Sequence, residues 1–202
     1  MAVSSIAVDD ATTPDKYLHT NQRTISGTAR DDQYVLQGWS AYPTYTAIAS
    51  SISVATTDAH VLQIMGDGTN YSRVTRIELH PYVATTAAIL RIGLYRLSTA
   101  GTGGGAVTIA GHDSADTYAG AAATLPTVKG TEGALLHHWS LYMNNASTPT
   151  QPVDSKIWVP TPGAKPLIFG PLTTAGVAFK VVVGLPAGTV YIEVEWATTS
   201  YL

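Results

Sequence analysis

The stretch Thr189-Val190-Tyr191-Ile192-Glu193-Val194-Glu195-Trp196 sets Val190, Ile192, Val194 and Trp196 on one side of an extended chain and Tyr191, Glu193 and Glu195 on the other. Successive side chains of a strand point to opposite faces, so one apolar and one charged face describe a half-buried antiparallel strand. Just upstream, Val177, Phe179, Val181 and Val183 alternate with Ala178, Lys180 and Val182. The break Gly184-Leu185-Pro186-Ala187-Gly188 between the two runs predicts a C-terminal hairpin.

Working back along the chain, the same alternation predicts strands at Ile48–Val54, His60–Met65, Arg73–His80 and Ala87–Leu97. In the third of these Ile77 and Leu79 oppose Arg76, Glu78 and His80; in the fourth Leu90, Ile92 and Leu94 form an inner row and Arg91 and Tyr95 an outer one. Shorter strands are expected at Ala106–Ile109, Leu135–Met143 and Pro166–Phe169, giving roughly eight to ten strands divided by Gly, Pro, Asn and Asp. Short strands without interleaved helices predict an all-β fold, an antiparallel β-sandwich whose strand number and long connections suit a jelly roll. The sandwich is expected over residues 44–202, with a Gly/Ala/Thr-rich surface excursion at about 99–134. Residues 1–43 are polar and lack a sustained period, which reads as an extended N-terminal arm anchored by Tyr34-Val35-Leu36 and Trp39.

Composition narrows function. Of 202 residues only 12% are charged, about half the usual share, and the net charge is −3 with 11 Lys and Arg. That balance gives no electrostatic footprint for nucleic acid or an anionic membrane. It suits a surface covered by neighbours, since few charges guard it against self-association. Cysteine is absent, which excludes disulfides and thiolate chemistry. The N-terminus shows no basic segment followed by an apolar one, and no apolar run reaches about 18 residues, so synthesis in a cytosol is expected. The two sequons at Asn70 and Asn145 are read as chance.

Candidate sites each meet a plainer reading. Gly101-Thr102-Gly103-Gly104-Gly105 lacks the Lys-Ser/Thr pair and following helix of a phosphate loop, and is expected to be a loop. Asp67 in Gly66-Asp67-Gly68-Thr69-Asn70 lacks the further carboxylates of a calcium loop, and a tight turn is expected. Asp9-Asp10, Asp31-Asp32, and Asp113 and Asp116 beside His112 read as solvated loop charges. Alternation places His137 with Leu135, Trp139, Leu141 and Met143, which predicts a hydrogen-bonded core histidine, or else a metal or polar contact shared on a symmetry axis. Hydrolase signatures such as Gly-x-Ser-x-Gly and His-Glu-x-x-His do not occur. No catalytic, cofactor or metal residue is therefore assigned.

Three segments carry a resemblance: Leu94-Tyr95-Arg96-Leu97-Ser98-Thr99-Ala100-Gly101-Thr102-Gly103-Gly104; Leu125-Pro126-Thr127-Val128-Lys129-Gly130-Thr131-Glu132-Gly133; and Lys165-Pro166-Leu167-Ile168-Phe169, which leads through Gly176-Val177-Ala178-Phe179-Lys180 into the last strand. With the polar arm, these resemble virion structural proteins of tailed phages, of the capsid decoration or cement type. The resemblance implies a non-enzymatic jelly roll, a homotrimer made in the host cytoplasm and placed on the capsid surface, bound to the major capsid protein, with no cofactor and no direct contact with nucleic acid or membrane. The alternative is a tail or fibre component with a receptor- or glycan-binding role, in which Tyr118, Trp158 or Tyr142 could stack on sugars.

Overall fold

The computed structural model describes residues 3–7, 17–25, 28–33, 42–84, 86–143, 154–163, 166–184 and 187–199. The chain divides into two compact units, Met1–Ala41 and Tyr42–Leu202. In the first, β1 (Val3–Ala7), β2 (Tyr17–Ile25) and β3 (Thr28–Gln33) form a three-stranded antiparallel sheet in the order β1-β2-β3. The segment read as an arm is thus extended in its described residues, but its strands pair with each other. The expected anchors Tyr34-Val35-Leu36 and Trp39, with Asp9-Asp10 and Asn145, lie outside the described residues.

The second unit is an antiparallel β-sandwich, and its described residues contain no helix. Its strands are β4 (Thr44–Ser53), β5 (His60–Met65), β6 (Tyr71–Val83), β7 (Ala88–Leu97), β8 (Gly105–Val107), β9 (Ile109–Gly111), β10 (Ala122–Thr124), β11 (Glu132–Met143), β12 (Lys156–Trp158), β13 (Ile168–Phe169), β14 (Gly176–Val183) and β15 (Thr189–Thr199). One sheet runs β11-β7-β14-β5-β10-β8; the other runs β12-β6-β15-β4-β9, with β13 also paired to β6.

The alternation in the sequence becomes the two inner faces. Val190, Ile192, Val194 and Trp196 of β15, Ile77 and Leu79 of β6, Leu90, Ile92 and Leu94 of β7, and Phe179 and Val181 of β14 fill one hydrophobic core, each at most 2% exposed. Burying such side chains drives the layering, since each contributes roughly 1.5–3 kcal/mol.

Three expectations change. Val177–Val183 and Thr189–Trp196 do not form a hairpin: β14 pairs with β5 and β7, whereas β15 pairs with β4 and β6 in the opposite sheet. Both are central strands, and the connection through Gly184 crosses from one layer to the other. Ala106–Ile109 is likewise two strands in two sheets, β8 beside β10 and β9 beside β4. The excursion at about 99–134 is therefore no loose loop. Between the neighbours β7 and β11 it runs across one side of the sandwich and extends the edges of both sheets.

Candidate interaction surfaces

Besides its strand pairings with β4 and β5, the insertion is tied to the sandwich by side chains near both of its ends. Gln63, 4% exposed on β5, donates from Nε2 to the Gly101 carbonyl at 3.0 Å and accepts from the Gly101 N–H at 2.9 Å. A Cβ at Gly101 would stand 2.9 Å from Gln63 Oε1 and 2.7 Å from the Val128 carbonyl, so the close approach requires glycine. Gly104 has a φ of +88°, the left-handed region. The glycine cluster is thus a shaped turn clamped to a strand, not a phosphate cradle.

The second fastening is a charge cluster. Glu132 Oε1 accepts from His60 Nε2 at 3.0 Å, and Glu132 Oε2 accepts from Lys180 Nζ at 2.6 Å. Lys129 donates to Asp58 and lies 3.4 Å from Glu132, while Asp58 Oδ1 is 3.1 Å from Lys180 Nζ. Lys180 Nζ also sits 4.2 Å from the Tyr95 ring centroid, a cation–π contact. Burial lowers the His60 pKa despite the Glu132 bond. Burial acts to raise Glu132, but hydrogen bonds from Lys180 and His60 outweigh it and the carboxyl is lowered. Bonds from Lys129 and Lys180 lower Asp58. The His60 Nδ1 atom is buried and unbonded, which suits a neutral ring donating through Nε2. Sequence reasoning passed over this cluster because its members lie far apart along the chain and carry no motif.

His137 is not a core residue. The register of β11 slips between Glu132 and Leu135 and again between Leu135 and His137, and Leu136 packs against the core. From His137 to Met143 the register is unbroken, so His137 shares the face of Trp139, but it is exposed there, its ring edge-on to Trp139 with centroids 4.5 Å apart. Burial, then the neighbouring His138, lowers its pKa. Among the described residues no group of three or more His, Cys, Asp or Glu could hold a metal ion. Among the described residues β11 is also the outermost strand of its sheet, and its Leu135 is 51% exposed.

The outer face of the other sheet carries a cross-strand row: Ile157 pairs with Glu78, Glu78 with Glu193, and Glu193 with Ile48. Ile157 and Ile48 are 60% and 48% exposed. Two glutamates directly opposite repel. Each is held by groups on its own strand, Glu78 by Arg76 and by His80 Nε2 at 3.2 Å, Glu193 by the Tyr191 hydroxyl at 2.6 Å. Burial, with donation to Glu193, pushes the Tyr191 pKa up to about 12. His80 Nδ1 lies 2.7 Å from Ser155 Oγ.

The remaining candidates fall apart from one another. Asp67 forms the expected turn, its Oδ1 accepting from the Thr69 and Asn70 N–H groups at 2.8 and 2.7 Å and its Oδ2 from Asn70 Nδ2 at 2.8 Å. Asp113 caps a turn through the Ala115 N–H, and His112 Nε2 lies 2.7 Å from Thr46 Oγ1. Tyr118 and Trp158 are partly buried against the core, and Tyr142 is half-buried. Comparison of the chain with family models, with curated proteins and with solved structures finds no match.

Proposed function

We propose that the chain is a non-enzymatic structural protein of a phage virion, a jelly-roll capsid decoration protein that associates with copies of itself and binds the major capsid protein lattice. One observation carries this reading: the strand order. With the insertion set aside, the strands β4-β15-β6-β12 face β5-β14-β7-β11. The chain alternates between the layers from β4 to β7, stays in one layer from β7 to β11, and then alternates again. With β13 also set aside, that order is compatible with the jelly roll that the resemblance implies, and supports this reading. The exposed outer strand β11, the apolar ends of the Ile157–Glu78–Glu193–Ile48 row and the low charge of the whole chain supply surface for self-association.

Co-sedimentation with purified capsids tests this proposal. The full chain is expected to bind at a copy number in the hundreds per particle and to run as a trimer in native mass spectrometry. A chain lacking Met1–Ala41 is expected to stay folded, because Tyr42–Leu202 is a compact unit of its own, and to lose capsid binding. A handful of copies per particle supports the tail or fibre reading instead, and undiminished binding by the shortened chain defeats the role given to the first unit.

A further inference from the structure

We propose that a concavity in the second unit, formed by Tyr42, Tyr45, the Asp67–Asn70 turn and the strand end Thr198–Thr199, binds a neutral saccharide. Its volume is about 350 Å³, within the range of small-ligand sites. The inference does not depend on where in a particle the chain resides.

Tyr45 lines the concavity and is held from behind. Its ring packs on Tyr118 and Trp196, with centroids 5.0 and 6.0 Å away, and those two rings lie 5.2 Å apart. The Tyr118 hydroxyl donates to the Met65 carbonyl at 2.9 Å and lies 3.1 Å from Ser72 Oγ, and the Tyr45 hydroxyl donates to the Thr117 carbonyl. The walls are fixed as well, since the Thr198 N–H donates to the Pro43 carbonyl at 2.9 Å and three bonds from Thr69 and Asn70 hold the Asp67 carboxylate. Such a site is organised before the ligand arrives, which limits the ordering cost of binding.

The lining chemistry selects the ligand class. A carboxylate, a carboxamide and threonine hydroxyls at positions 69, 117, 198 and 199 offer both acceptors and donors, the set that vicinal hydroxyls require. Among the described residues no Lys, Arg or His lines the concavity, so an anion would meet Asp67 with no counter-charge from them. Burial acts to raise the Asp67 pKa, but the Asn70 and Thr69 bonds outweigh it, so the acceptor stays ionised at neutral pH. Tyr42, 53% exposed among the lining residues, supplies an aromatic ring on which the C–H face of a pyranose can stack.

The test is a titration of the full chain, labelled with ¹⁵N, by methyl glycosides of neutral hexoses and N-acetylhexosamines, by sialic acid and by calcium chloride. A neutral glycoside is expected to shift amides at residues 42, 44, 45, 67–70, 117–119 and 198–199, with sialic acid and calcium leaving them in place. Tyr42→Ala weakens that binding by about tenfold through the lost stacking and leaves the unfolding midpoint unchanged. Thr69→Val, which keeps the backbone bond to Asp67, weakens it severalfold. No response to any neutral glycoside, shifts confined to other residues, a response to calcium or sialic acid alone, or binding that both variants retain in full would each overturn the proposal.

Discussion

His60 Nε2 lies 3.0 Å from Glu132 Oε1, which joins the first residue of β5 to the first residue of β11 and fixes the end of the insertion to a central strand. Lys180 holds the other oxygen of the same carboxylate. The side chains of His60, Lys180 and Glu132 are 0%, 14% and 19% exposed, so water replaces these partners poorly when one is removed.

Glu132→Ala is therefore expected to destabilise the sandwich by about 1.5–3 kcal/mol, the range for hydrogen bonds to charged groups. The urea midpoint should fall at an unchanged slope, the signature of a changed stability without a changed denatured state. A midpoint equal to that of the parent chain would show the cluster to be fully solvated.

The same cluster sets an acid limb. His60 is lowered on folding from 6.5, so the unfolded chain takes up its proton at higher pH than the folded one. Stability is complete above that value and declines as pH falls through it towards the folded pKa. Glu132 and Asp58, lowered from 4.5 and 3.8, prolong the decline at lower pH. His60→Gln keeps a donor but cannot titrate, and should remove the first part of the decline, which sets in as pH falls through 6.5, while leaving the carboxylate part. Unfolding midpoints at a series of pH values measure this directly.

Gln63→Leu removes both partners of Gly101 at once, and a buried amide left unbonded costs about 1–3 kcal/mol. Because this contact ties the start of the insertion to β5, its amides from Thr99 to Thr131 should exchange faster than those of β14 in the same variant. Uniform acceleration throughout the sandwich would mean that the insertion does not open by itself.

Phe179 is fully buried and stacks on Trp139, with centroids 6.0 Å apart and planes at 23°. Phe179→Ala should cost about 3–5 kcal/mol and Ile192→Val, equally buried, about 0.5–1.5 kcal/mol. Thermal unfolding of the two variants tests whether the core is as closely packed between its layers as these positions imply.

How far the sequence speaks depends on the range of the interaction. The alternation of Val190, Ile192, Val194 and Trp196 against Tyr191, Glu193 and Glu195 is a property of each strand alone, and it identified the inner and outer faces before any partner was known. The Asp67 turn was legible for the same reason, since its bonds reach only Thr69 and Asn70. His137 keeps the face of Trp139 that alternation gives it, but it is exposed there, since a period marks a face and not how far along the strand that face is covered. β10 and β12, of three residues each, are too short to show any period.

By itself, then, the sequence determined the all-β class, the inner rows of β6, β7 and β15 and the scarcity of charge, because burial follows the two-residue period of an extended chain. Tertiary structure alone decided that β14 and β15 lie in opposite sheets, that the insertion closes one side of the sandwich, and that His60, Glu132 and Lys180 meet. Pairing between strands depends on backbone groups common to all residues and on contacts across long chain separations, and neither leaves a mark in local pattern.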